Sequence, residues 1–128
     1  MAEYTLSKAE RLNSKAMIER LFAGGNKSFP AFPLRVVYMW LDASEGEAPV
    51  SILISVPKKR FKRAVKRNLV KRVREAYRKN KQLLTDALVA KNKRLVLAFI
   101  WLDNEIHPSA EIEGKVKRLL FHIMEKIE

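Results

Sequence analysis

The chain has 128 residues, 48% of them hydrophobic and 31% charged, which supplies apolar surface for one folded core but too little length for two. It contains no cysteine, which excludes a disulfide framework and any thiolate metal site and points to a reducing compartment. Its formal charge is +12, and it shows neither a long apolar span nor the apolar segment of an export signal, so the expectation is one cytoplasmic domain over residues 1–128 with no membrane role.

Residues 5 to 25 read as a helix with two competing starts. Ser7 with Glu10 forms a capping box, whereas Asn13 or Ser14 would cap a shorter helix carrying Ile18, Leu21 and Phe22; Gly24-Gly25 supplies the stop. In FPAFPLRVVYMWL two prolines precede a β-branched and aromatic run, which predicts a strand from Leu34 to Leu41 and a short edge piece near Phe29. DASEGEAP reads as a turn. VSILISV after it sets Val50, Ile52, Ile54 and Val56 against Ser51, Leu53 and Ser55, so the two runs are expected to pair as a hairpin with one buried face. Pro57 closes that strand.

A basic helix is then expected from about Arg60 to Asn80, with a second helical stretch through Leu83, Leu84, Ala87 and Leu88 after a break. RLVLAFIWL is apolar almost throughout and reads as a central strand covered on both faces, pairing with the hairpin. His107-Pro108-Ser109 opens a last helix whose Ile112, Val116, Leu119, Leu120, Ile123, Met124 and Ile127 follow the helical period. The fold class is α+β: a small mixed sheet of about four strands packed against helices in the order αβββαβα.

The charge is not spread evenly. Lys58 to Lys81 holds thirteen Lys/Arg and one acid, Glu75, while the rest of the chain has thirteen of each sign, so the whole excess lies in one segment. On a helical wheel with Val65 at zero, Ala76, Leu69, Val73, Tyr77 and Val70 fall within about 140°. Arg63, Arg74, Arg67, Arg78 and Lys71 fall between about 160° and 240°, with Asn68 and Glu75 beyond them. Like charges at i and i+4 destabilise such a helix by several tenths of a kcal/mol per pair, which a polyanion would offset. The apolar arc is expected to dock and the basic ridge to face nucleic acid.

SVPKKRFKRAVKRNLVKRVREAYR resembles the signature of the protein subunit of bacterial ribonuclease P, matching at Ser55, Val56, Lys58, Lys59, Ala64, Val65, Arg67, Asn68, Lys71, Arg72, Arg74, Glu75 and Arg78. The resemblance extends to Arg11-Leu12 ahead of the first helix, and the chain departs from the family pattern at Ile18, Pro57, Phe61 and Leu69. It implies a left-handed βαβ crossover, contrary to the usual hand. It also implies an RNA subunit that cleaves precursor tRNA with Mg²⁺ at the 5′ end, while the protein binds no cofactor and needs no other protein partner. Together with the basic ridge, it points to Lys59, Arg63, Arg67, Asn68, Lys71, Arg72, Arg74 and Arg78 as the contacts to the RNA subunit. It places the 5′ leader in a cleft between the first helix and the sheet, where strand alternation and the stacking of bases on aromatics beside cations make Phe22, Val36, Tyr38, Ser55 and Lys58 the candidates.

Residue chemistry agrees on catalysis. With no cysteine and only His107 and His122, a nucleophile-base constellation is not expected, and Asp42, Glu45, Glu47, Asp103 and Glu105 lack the spacing of a metal cage. Two rival readings share the ridge: a generic nucleic-acid binder without the cleft, and a basic helix aimed at anionic lipid, which fits less well because the apolar arc lacks Trp and Phe and is needed against the sheet. If about five phosphates are neutralised, log affinity for RNA plotted against log salt should fall with a slope of about −4; a slope near −1 removes the electrostatic account.

Overall fold

The computed structural model describes residues 11–12, 14–23, 26–41, 49–57 and 61–127. Helix α1 spans Lys15–Phe22, followed by strands β1 (Lys27–Ala31), β2 (Leu34–Leu41) and β3 (Val50–Ser55). Helices α2 (Arg63–Asn80) and α3 (Gln82–Ala90), strand β4 (Arg94–Trp101) and helix α4 (Ser109–Glu125) complete the described elements. The shorter first helix is the one described: Ser14 Oγ accepts the Met17 N–H at 3.3 Å. Ser7, Glu10, Asn13 and the Gly24-Gly25 stop lie outside the described residues, and the Asn26 amide donates to the carbonyls of Arg20 and Leu21 at 2.7 and 2.8 Å. A side chain thus satisfies two carbonyls that the helix end leaves open.

The four strands lie in the order β1-β2-β4-β3, with β1–β2 and β2–β4 antiparallel and β3–β4 parallel. This corrects one expectation: β2 and β3 do not form a hairpin, because β4 inserts between them. The hairpin that does form joins β1 to β2, through Phe32 and Pro33. The central position of β4 explains its unbroken apolar run, since Leu95, Leu97, Phe99 and Trp101 belong to one core cluster and Val96 and Ala98 to another.

The larger cluster fills the side covered by α2, α3 and α4. Leu69, Val73, Ala76 and Tyr77 of α2, Leu84 and Leu88 of α3, and Ile112, Val116, Leu119, Leu120 and Ile123 of α4 meet Val36, Tyr38, Val50 and Ile52 there. The smaller cluster lies on the opposite sheet face, where Leu12 and Leu21 cover Leu41, Val96 and Ala98. Ahead of α1, the Leu12 N–H donates to Ile52 O at 2.8 Å, so a short piece of chain runs beside the outer edge of β3.

His107 fastens the entry to α4. Its Nε2 lies 2.6 Å from Asp103 Oδ2, its Nδ1 is bonded to Glu111 Oε2, and its ring meets Trp101 edge-on with centroids 5.5 Å apart. The Arg72 guanidinium donates to the His107 carbonyl at 3.2 Å, tying α2 to the same point. Two carboxylates facing the two ring nitrogens favour the imidazolium. The bond to Asp103, seconded by Glu111, therefore holds the His107 pKa above its ordinary value, and the bond to His107 holds Asp103 below its own. The histidine's contribution to stability is complete below about pH 6.5 and fades as pH rises through the raised value, while that of Asp103 is complete above about pH 4 and is lost on acidification. His107→Gln should lower the melting temperature most near pH 5.5 and progressively less toward pH 9; a pH-independent loss removes the ionic account.

Candidate nucleic-acid interface

The amphipathic period of α2 decides how the helix sits. Leu69 is 1% exposed and Val73 and Tyr77 are fully buried, while Val65 and Val70 at the borders of the arc are half-buried. Burying those side chains against the sheet contributes on the order of 2 kcal/mol each, enough to outweigh the repulsion within the ridge. The expected departure at Leu69 is a packing residue.

On the far side a groove of about 500 Å³ runs along α2, lined by Arg63, Lys66, Arg67, Val70, Lys71, Arg74 and Arg78. All five members of the ridge expected from the wheel line it, and Lys66 joins them. Lys66 sits within the apolar arc, and its long stem lets the ammonium reach out from there. Among the described residues no carboxylate pairs with these cations; the recorded ion pairs belong to Asp103, Glu111 and Glu113. Arg63 and Lys66 stand at the N-terminal end, where the helix dipole disfavours cations, and Lys62 caps the helix without a side-chain hydrogen bond. Partial burial lowers the pKa of Arg74, and the neighbouring Arg11 and Arg78 add to the effect. The Nε of Arg78 is buried without a hydrogen-bond partner among the described residues. An anion placed in the groove would relieve each of these strains.

Two other expected contacts fall elsewhere. Asn68 is exposed beyond the ridge, and Arg72 does not join it: it points toward the α4 entry, half-buried against the His107 carbonyl. Lys58 and Lys59 lie outside the described residues.

The leader candidates divide by strand parity. Val36 and Tyr38 are 0% and 2% exposed and belong to the core beneath the helices; burial pushes the Tyr38 phenol up, and its ring meets Trp40 edge-on. Neither offers surface to RNA, which corrects both assignments. The alternate residues Val37 and Met39 are half-buried on the face that α1 partly covers, beside Leu53 and with Met17 and Ile18 above. The strand register carries this face outward through the row Arg35, Ile100 and Ser55, where Arg35 is exposed and donates to Ser28 Oγ at 2.9 Å. Ser55 is on the open face, and Phe22, at the end of α1, is 47% exposed. Phe22 and Ser55 thus remain accessible, whereas Val36 and Tyr38 are buried and their neighbours Val37 and Met39 lie on the partly open face.

Both histidines are engaged. His107 is held by its carboxylates, and His122 stacks on Phe29 with centroids 3.7 Å apart. Among the described residues no three His, Cys, Asp or Glu are grouped to hold a metal ion, and no helix is long and apolar enough to cross a membrane.

Comparison with known proteins decides the family. The model of the family described as Ribonuclease P matches residues 6–123. The chain belongs to the ribonuclease P protein family. It is 45% identical over 123 residues to the ribonuclease P protein component of Porphyromonas gingivalis, covering 95% of this chain and 88% of that protein. To the ribonuclease P protein component of Chlorobaculum tepidum it is 34% identical over 127 residues, covering 90% and 82%. Among solved structures, a Staphylococcus aureus RNase P protein mutant with defective mRNA degradation activity superposes with a TM-score of 0.71 at 16% identity over 91% of this chain and 89% of that one. The RNase P protein of Thermotoga maritima does so with a TM-score of 0.58 at 22% identity, over 93% and 98%. These two show the shared fold. Family membership carries a role in tRNA processing, as the protein component of an endoribonuclease that works with ribonuclease P RNA.

Arg72 separates packing from binding. Arg72→Ala should lower unfolding stability by about 1 kcal/mol, read as a shift of the urea midpoint, while leaving the salt slope of RNA binding unchanged.

Proposed function

We propose that this chain binds ribonuclease P RNA along the α2 groove and the 5′ leader of precursor tRNA on the half-open sheet face beside α1, assisting 5′ maturation that the RNA subunit performs with Mg²⁺. The observation that carries the reading is the groove itself: Arg63, Arg67, Lys71, Arg74 and Arg78, with Lys66, line one concave strip on a helix whose back is buried. A guanidinium's planar fork engages phosphate oxygens in pairs, and a fixed helix presents its forks without first ordering them.

For the leader, the half-buried Val37, Met39 and Leu53 form an apolar floor with the Ser55 hydroxyl at its edge, and the exposed Phe22 and Arg35 are able to stack on bases and meet phosphates. The side chains that general acid-base chemistry would call on support a binding role, since His107 and His122 are both committed to structural contacts.

Arg67→Ala combined with Arg74→Ala should weaken binding to ribonuclease P RNA on the order of ten-fold or more at moderate salt, with the melting temperature nearly unchanged. The function is tested by adding the protein to a ribonuclease P RNA at low Mg²⁺ and following cleavage of precursor tRNA. Stimulation that depends on leader length supports the reading; RNA binding without stimulation replaces it by a generic RNA binder.

A further inference from the structure

A recess of about 300 Å³ lies between α2 and the outer edge of β3, where Arg11, Leu12, Ile52, Ile54, Val70 and Arg74 line it. Val70 and Arg74 also line the α2 groove, and Leu53, which packs on the α1 side of the sheet, reaches the recess as well. The recess therefore crosses the sheet edge and joins two surfaces that otherwise lie on opposite faces.

Its lining combines two chemistries. Arg11 and Arg74 bring two positive charges to it, and no carboxylate lines the recess among the described residues. Burial and then repulsion from Arg11 lower the Arg74 pKa, and an anion between the two guanidinium groups would relieve that repulsion. Leu12, Ile52, Ile54 and Val70 add an apolar lining, which a small inorganic anion would not use. The chain preceding α1 pairs with β3 at Ile52. Backbone directions alternate along a strand, so the amide and carbonyl of Ile54 face the same outer edge, where no strand is paired with them among the described residues. An exposed edge offers hydrogen bonds to the rim of a flat ring. The volume is at the small end for ligand pockets, suited to one nucleotide rather than a length of strand.

We propose that this recess is a single-nucleotide site, holding a phosphate between Arg11 and Arg74 and a base against Leu12, Ile54 and Val70, through which an RNA strand passes from the sheet face to the α2 groove. It rests on the RNA-binding reading above and adds a contact, Arg11, that lies outside the basic helix.

The test is a backbone-amide NMR titration of the full chain with a nucleoside 5′-monophosphate, with inorganic phosphate and with the unphosphorylated nucleoside. The monophosphate should shift the amides of Arg11, Leu12, Ile54 and Val70 with a midpoint at least ten-fold below that of either fragment. Arg11→Gln should raise that midpoint to the nucleoside's value, and Arg11→Lys should recover part of the loss. Equal midpoints for phosphate and monophosphate, or shifts confined to Arg63–Lys71, overturn the proposal. Binding of ribonuclease P RNA is measured on the same samples: steep salt dependence with no response in the recess overturns the nucleotide site and leaves the α2 reading standing, whereas shallow salt dependence of RNA binding overturns both.

Discussion

The seating of α2 on the sheet is the constraint on which the molecule depends. Leu69, Val73, Ala76 and Tyr77 enter the core, and by doing so fix Arg63, Arg67, Lys71, Arg74 and Arg78 on one strip facing away from it. Like charges so close would disperse on a loose helix, since no carboxylate among the described residues pairs with them. Hydrophobic burial outweighs that repulsion and leaves it stored as attraction for a polyanion. Under the proposed function, stability and recognition are opposite sides of one helix, so a substitution in the buried arc unseats the ridge whereas one on the ridge leaves the core in place.

The same division explains how far the sequence could be read. The 3.6-residue period of α2 separates its faces cleanly, so the buried arc and the ridge follow from spacing alone, and β2 begins and ends where its β-branched run does. Lys66 escapes because a wheel places the Cα, not the end of a long side chain. Arg72 escapes because its partner, the His107 carbonyl, is 35 residues away. Strand parity in β2 was only faintly legible, because Arg35 alone marks the open face and the rest of LRVVYMWL is apolar on both; the position of α1 over Val37 and Met39 breaks the tie.

Sheet order was the largest gap. β2 and β3 are neighbours in sequence and each is a convincing strand, which makes a hairpin the default reading. What separates them is β4, whose doubly buried residues need cover on two faces and a strand at each edge. That requirement belongs to tertiary packing and leaves its mark in the sequence only as an unusually apolar run.

The insertion of β4 also governs when the protein can take shape. β2, β3 and the whole of α2 are synthesised before Arg94–Trp101, so the helix with the greatest charge density is made before the strand that completes the sheet on which it sits. Until that strand is in place, the sheet that seats α2 lacks its centre. Its late closure makes the last third of the chain a gatekeeper for the first two.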